Sequence, residues 1–176
     1  MMNKLPPLPV PSVENQKRGR RSRAKGRAFE DLLDKTFDYY AEKGFAKIDK
    51  TPEPMKVIRS MGQGRFLACY TKSAQPDYKG TIKGGRTVIF EAKYTENGRL
   101  LQDAVSDEQA EYMEAEDQLG ARCYVVCGFS TGNVYRIPWG VWSNMKRIFG
   151  HKYVTEEEIK QYQGQKSWND MLLILD

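Results

Sequence analysis

Residues 75–95 read QPDYKGTIKGGRTVIFEAKYT, and the reading of this stretch decides the fold. Thr87 to Lys93 packs Thr, Val, Ile and Phe together behind a pair of glycines, the composition of a β-strand entered from a turn. Side chains alternate faces along a strand, so Glu91 and Lys93 share one face. Val88, Phe90 and Ala92 point to the other, where a core can take them. The glycines of TIKGGR permit a turn that folds Asp77 back beside the strand. Two carboxylates and one lysine then converge.

Outward from that strand toward the N-terminus, Phe29, Leu32, Leu33, Phe37 and Tyr40 recur at helical spacing. Gly44 suits the position just past the end of that helix. Ala46 to Lys50 reads as a short edge strand. TPEPMKVIRSMGQGRF follows, too polar for a core and too long for a simple turn. It is expected to protrude as a stalk-like insertion at about residues 52–66, carrying Lys56, Arg59 and Arg65. Leu67 to Tyr70 is expected to be a further strand.

Toward the C-terminus, Ser106 and Gln109 fit a capping box that opens a helix ended by Gly120. Arg122 to Phe129 is nearly all apolar and reads as a central strand, turned by STGN into Val134 to Ile137. Trp139 to Phe149 is a short helix by the same reading, and Thr155 to Glu158 caps another. No internal repeat is present. The order predicts an α/β fold, a mixed central sheet with helices on its faces.

The 176 residues fit one domain with a proper core, at 40% hydrophobic and 29% charged. No window approaches the roughly 18 apolar residues that span a bilayer, and the opening MMNKLPPLPVPSVENQ lacks a signal peptide's apolar run, so a cytoplasmic protein without membrane contact is expected. The three cysteines, Cys69, Cys123 and Cys127, show no zinc-type pairing, and Cys123 and Cys127 in the run CYVVC read as small reduced core residues. With His151 the single histidine, sites built on several histidines are excluded. Any metal must be held by oxygen, which favours Mg2+, with Mn2+ able to substitute.

The net charge of +5 is concentrated: KRGRRSRAKGR at residues 17–27 holds seven Lys or Arg and no acid, and taking those seven away leaves −2. Residues 1–24 are therefore expected to be a disordered arm, Pro-rich and then basic, ahead of a domain at 25–176. Arg18, Arg20, Arg21, Arg23 and Lys25 on the arm are candidate nucleic-acid contacts. A solubility tail or a localisation signal is the plainer reading of such a run.

Phosphodiester hydrolysis needs an activated water, a Lewis acid on the phosphate and help for the leaving oxygen. Asp77 and Glu91, with the main-chain carbonyl of Ala92, are donors that a small octahedral cation accepts. Lys93 can orient or deprotonate the water, or stabilise developing negative charge. A lone Glu-x-Lys is common on exposed strand faces and Pro-Asp is common in turns. The weight lies in their combination, with the basic run beside it.

Pro76-Asp77…Glu91-Ala92-Lys93 resembles the signature of the PD-(D/E)xK nuclease superfamily. The helix GRAFEDLL, the segments KIDKTPEP and TKSAQPDYKG, the strand IFEAKYT, the Gln109-bearing helix and Tyr135-Arg136-Ile137-Pro138-Trp139 are similar to one branch, the RecU-type Holliday junction resolvases of Gram-positive bacteria and their phages. The likeness runs from about residue 18 to 165. It implies a restriction-endonuclease-like fold, a homodimer, possible recombination-protein partners and paired nicks at four-way DNA junctions. By position it implies Asp77 and Glu91 as metal ligands and Lys93 as the catalytic lysine. It also points to Glu30 as an acid beside the metal, where a solvated helix residue is the alternative. Gln109 matches a family glutamine, although the capping box would claim its side chain. Lys72 and Ser73 match a segment able to touch phosphate.

Tyr135, Trp139, Trp142 and Phe149 can stack on bases, but core or dimer interface is the favoured reading. The expected activity is a magnesium-dependent, structure-selective DNA endonuclease. Its rivals are a less selective nuclease of the same superfamily on branched or linear DNA, and a non-catalytic architectural DNA binder in which Asp77, Glu91 and Lys93 are only a buried ion cluster.

Overall fold

The computed structural model describes residues 13–52, 54–71, 75–166 and 172–175. Its elements are α1 (Val13–Glu42), β1 (Ala46–Lys50), β2 (Met55–Gly62), β3 (Arg65–Tyr70), β4 (Tyr78–Ile82), β5 (Arg86–Thr95), β6 (Arg99–Leu101) and α2 (Asp107–Gln118). There follow β7 (Arg122–Phe129), β8 (Val134–Pro138), the single turns α3 (Trp139–Trp142) and α4 (Met145–Phe149), β9 (Tyr153–Thr155), β10 (Gln165–Lys166) and β11 (Leu172–Leu173). Five strands make a mixed sheet in the order β1-β4-β5-β7-β8. Only β5 and β7 run parallel. A parallel pair needs a crossover, and α2 supplies it.

The sheet is covered on both faces. Phe29, Leu33, Phe37 and Tyr40 of α1 pack on Tyr78, Val88, Phe90 and Val126. Gly128 of β7 permits that contact, because a Cβ there would lie 2.8 Å from the Phe29 ring. On the opposite face Met113 of α2, Trp139, Trp142 and Met145 pack on Ile89, Val125, Cys127 and Ile137. Burial of each such side chain is worth about 1.5–3 kcal/mol. Tyr135, Trp139 and Trp142 thus belong to the core, and Phe149 lies partly buried against it. The turn before β5 uses Gly84 and Gly85 at φ 98° and 87°, where other residues are strained.

Several expectations are corrected. The disordered arm through residue 24 is replaced, over residues 13–24, by helix continuous with the apolar-striped half of α1. Lys, Arg, Gln and Ala are good helix formers, and the docked half supplies the nucleus that such turns extend. Residues 1–12 lie outside the described residues. The protruding segment is longer than 52–66, because Leu67 to Tyr70 is the return strand of a β2–β3 hairpin that pairs only with itself. Every residue of β2 is exposed, and so is Cys69 on β3, whereas Cys123 and Cys127 are buried in β7 as expected.

The helix expected over Trp139–Phe149 is broken into two short turns. Thr155 does make capping contacts, its N–H and hydroxyl both donating to Glu158 Oε2 at 3.0 and 2.8 Å, but only a turn and a single 3-10 turn at Lys160–Tyr162 follow. The chain must instead bring Gly164 to Val134, where its N–H meets the carbonyl at 2.8 Å. Among the described residues no helix is long and apolar enough to cross a membrane.

Candidate active site

Antiparallel pairing sets Tyr78 opposite Phe90, so Asp77, just ahead of β4, arrives beside Glu91. The Asp77 N–H donates to Glu91 Oε2 at 3.2 Å, and the Ala92 N–H donates to Asp77 Oδ2 at 2.9 Å. Lys93 Nζ donates to Glu91 Oε1 at 2.5 Å. The carboxylate pair and the lysine expected from the spacing are therefore together in space. They lie on the Ile89 face of β5, under α2, and that face is itself core rather than open.

Glu91 is fully buried. Burial pushes its carboxyl up to about 7, Lys93 opposes that rise, and Asp77 adds to it. Asp77 is also raised, chiefly by burial, against the stabilising Ala92 N–H and the Lys93 charge. Two acids that resist ionising side by side are held where a cation would relieve both.

Gln109 makes the capping contact and also reaches a carboxylate of the pair. Its side-chain oxygen accepts from the Ser106 N–H at 3.2 Å, completing the capping box, while Nε2 donates to Glu91 Oε1 at 2.8 Å. Glu30 stands at the opposite side of the pair on α1. Lys50 holds it at 2.7 Å and also approaches Asp34 at 3.8 Å, and Asp34 accepts from Tyr78 Oη at 2.7 Å. Glu30 is near enough to Asp77 to raise it electrostatically, yet its ion partner is Lys50.

Lys50 and Thr51 were not singled out from sequence. The signal for Lys50 was the edge strand itself: its ladder partner is Tyr78, next to Asp77. The Thr51 N–H donates to the Asp77 carbonyl at 2.8 Å, and Thr51 Oγ1 is buried with no hydrogen-bond partner.

The expected DNA contacts divide by position. Arg20, Arg21 and Arg23 are exposed along α1, Arg18 is on the same helix, and Lys25 is ion-paired with Glu96. Lys56, Arg59 and Arg65 are exposed on the hairpin. Lys72 and Ser73 lie outside the described residues. A cleft of about 620 Å³ joins α1 to the end of β5, lined by Arg23, Gly26, Arg27, Glu30, Ala92 and Lys93 among others. A hollow of about 690 Å³ beside Trp139, Trp142 and His151 is larger, but its carboxylates, Asp103 and Asp107, are exposed and no buried acid lines it.

The donor set fits a hard divalent cation. Among the described residues no group of three or more His, Cys, Asp or Glu side chains gathers to hold a metal. Two carboxylates with the Ala92 carbonyl are all-oxygen donors of the kind such a cation accepts, and they leave several positions to water.

The family that matches the chain is described as "Recombination protein U", over residues 24–174. The chain is similar to the Holliday junction resolvase RecU of Geobacillus kaustophilus, 29% identical over 148 residues, covering 78% of this chain and 74% of the relative. To that of Geobacillus sp. (strain WCH70) it is 30% identical over 148 residues, covering 78% and 73%. A solved structure, Archaeoglobus fulgidus Hjc, a Holliday junction resolvase from an archaeal hyperthermophile, aligns with TM-score 0.45 at 15% identity, covering 78% of this chain and 88% of its own.

Proposed function

This chain belongs to the recombination protein U family, and from that premise we propose that it is a metal-dependent DNA endonuclease resolving four-way junctions by paired nicks. The observation that carries the proposal is the convergence of Asp77, Glu91 and Lys93, with Lys93 also lining a cleft that holds Arg23, Arg27 and Lys50 together with Glu30 and Asp31. The curated relatives, named Holliday junction resolvases, supply the substrate class.

Asp77, Glu91 and the Ala92 carbonyl would hold magnesium or manganese. When bound, that ion supplies a Lewis acid for the phosphate and a more acidic water. Lys93 Nζ, which donates to Glu91 Oε1, would orient the attacking water or stabilise negative charge developing on the phosphate. Gln109 holds Glu91 in position from α2, and Lys50 holds Glu30 on the other flank. Burial keeps bulk water from competing at the carboxylates.

Resolution takes two symmetric nicks and one chain has one such site, so a twofold homodimer is proposed. The exposed basic turns of α1 and the β2–β3 hairpin, with Lys56, Arg59 and Arg65, are proposed to bind the arms and centre of the junction. Residues 1–24 act in this reading as an accessory DNA-binding segment on a nuclease domain at 25–176.

The test is cleavage of a synthetic four-way junction and a matched linear duplex, with and without magnesium. Symmetric magnesium-dependent nicks confined to the junction are expected. Equal cutting of the duplex would indicate an unselective nuclease, and binding without cutting in magnesium or manganese would indicate an architectural protein.

A further inference from the structure

Arg23, Gly26, Arg27 and Glu30 share one face of α1, because residues three and four apart are neighbours on a helix. All four line the cleft that ends at Ala92 and Lys93. The other cations at this place already have acidic partners: Lys25 with Glu96, Lys50 with Glu30, and Lys93 with Glu91. Arg23 is tied only to a main-chain oxygen, donating to Gly19 O at 3.2 Å, and Arg27 enters no ion pair among the described residues. Both are exposed. Guanidinium groups in this state are free to bind an anion bidentately.

Gly26 sits between them. A helix interior ordinarily disfavours glycine, and here a Cβ would meet nothing within 4 Å, so packing does not require its absence. Its missing side chain instead leaves space inside the cleft, flanked by the two arginines.

Resting on the nuclease reading above, we infer that Arg23, Gly26 and Arg27 form a phosphate clamp for the DNA strand entering the catalytic cleft. The two guanidinium groups hold backbone phosphates beside the one to be cut, and Gly26 lets the strand pass close to the helix. Arg27, within the basic run, thereby acts as a substrate-binding residue, and Gly26 as a positioning residue acting through the space it leaves. The contact is to the sugar-phosphate backbone, so it carries no base preference.

The test is binding of a labelled four-way junction in calcium across a salt series, for wild type, Arg23→Ala, Arg27→Ala, Arg27→Lys, Gly26→Ala and Gly26→Glu. Lys83→Ala, in the turn before β5, is the surface-charge control. Each arginine-to-alanine change should flatten the slope of log affinity against log salt by about 0.9, the value of one lost phosphate contact. Arg27→Lys should keep the wild-type slope, and Gly26→Ala, which narrows the path of the strand without changing charge, should weaken binding several-fold at an unchanged slope. Gly26→Glu should weaken binding at least about tenfold by charge and bulk, with no fall in the thermal midpoint because glutamate is the better helix former. Wild-type slopes in both arginine variants, or wild-type binding by Gly26→Glu, would overturn the clamp. If wild type binds the junction but never cuts it, the nuclease reading falls while the slopes still decide the clamp. If it binds no DNA, both fall.

Discussion

Gln109 donates its side-chain amide to Glu91 Oε1 at 2.8 Å while its own side-chain oxygen accepts the Ser106 N–H at 3.2 Å. One residue thus closes the first turn of α2 and holds Glu91, the most buried acid among the described residues. Helix start and carboxylate position are mechanically linked.

That linkage separates two variants. Ser106→Ala removes the cap alone and should cost about 0.5–2 kcal/mol of stability with junction cleavage nearly kept. Gln109→Ala should cost a similar amount and also lower the cleavage rate by about 10²-fold, the scale of losing one positioned donor at a reacting group. Chemical denaturation and single-turnover cleavage read the two effects. Equal rates for the two variants would mean that the contact to Glu91 does not serve the chemistry.

Stability without metal should depend on pH in an unusual direction. Glu91 holds its proton up to about 7 in the folded chain against an ordinary 4.5, chiefly through burial. The folded state therefore binds more protons than the unfolded one between those values, and stability falls as pH rises through that window. In EDTA the thermal midpoint should decline from pH 5 to pH 7.5, and Glu91→Gln should remove much of the decline. Acids held low by hydrogen bonds, such as Glu158 with Thr155, act in the opposite sense, and their contribution is lost only at lower pH. A midpoint rising steadily from pH 5 to 7.5 would contradict the buried-pair description.

The hairpin should be separable from the fold. Met55–Tyr70 pairs with no strand of the main sheet, and the Thr71 N–H meets the Pro54 carbonyl at 2.9 Å across its base. Met55, Val57, Ile58 and Phe66 are all more than half exposed, so their removal takes little from the core. Replacement of residues 55–70 by a short glycine turn should leave the thermal midpoint within a few degrees of wild type. The preference for a junction over linear duplex should largely disappear. Loss of folding would mean that the hairpin supports the domain, and an unchanged preference that it does not read the junction.

Much of this was legible in residues 75–95 because the rules there are local. Two-residue alternation aims Glu91 and Lys93 to one side, and the glycine turn returns Asp77 to meet them. The double role of Gln109 was not legible in the same way. It depends on α2 lying over β5, which no window of sequence reports. The α1 extension through residues 13–24 was missed because those turns lack an apolar stripe and draw their order from the docked half. Leu67 to Tyr70 reads as strand in any setting, and only tertiary structure shows that its partner is an exposed β2 rather than the sheet. Lys50 acquires its place beside Asp77 only through its ladder partner Tyr78, which the sequence of β1 alone does not report.

The most direct test of the central claim is to separate binding from cutting at the carboxylate pair. Single-turnover cleavage of a four-way junction in magnesium would be measured for wild type, Asp77→Asn and Glu91→Gln, with junction affinity measured alongside in calcium. Loss of cleavage by about 10³-fold or more, with affinity within a few-fold of wild type, is the predicted result. Cleavage surviving in either variant, or affinity lost together with cleavage in a variant that remains folded, would contradict it.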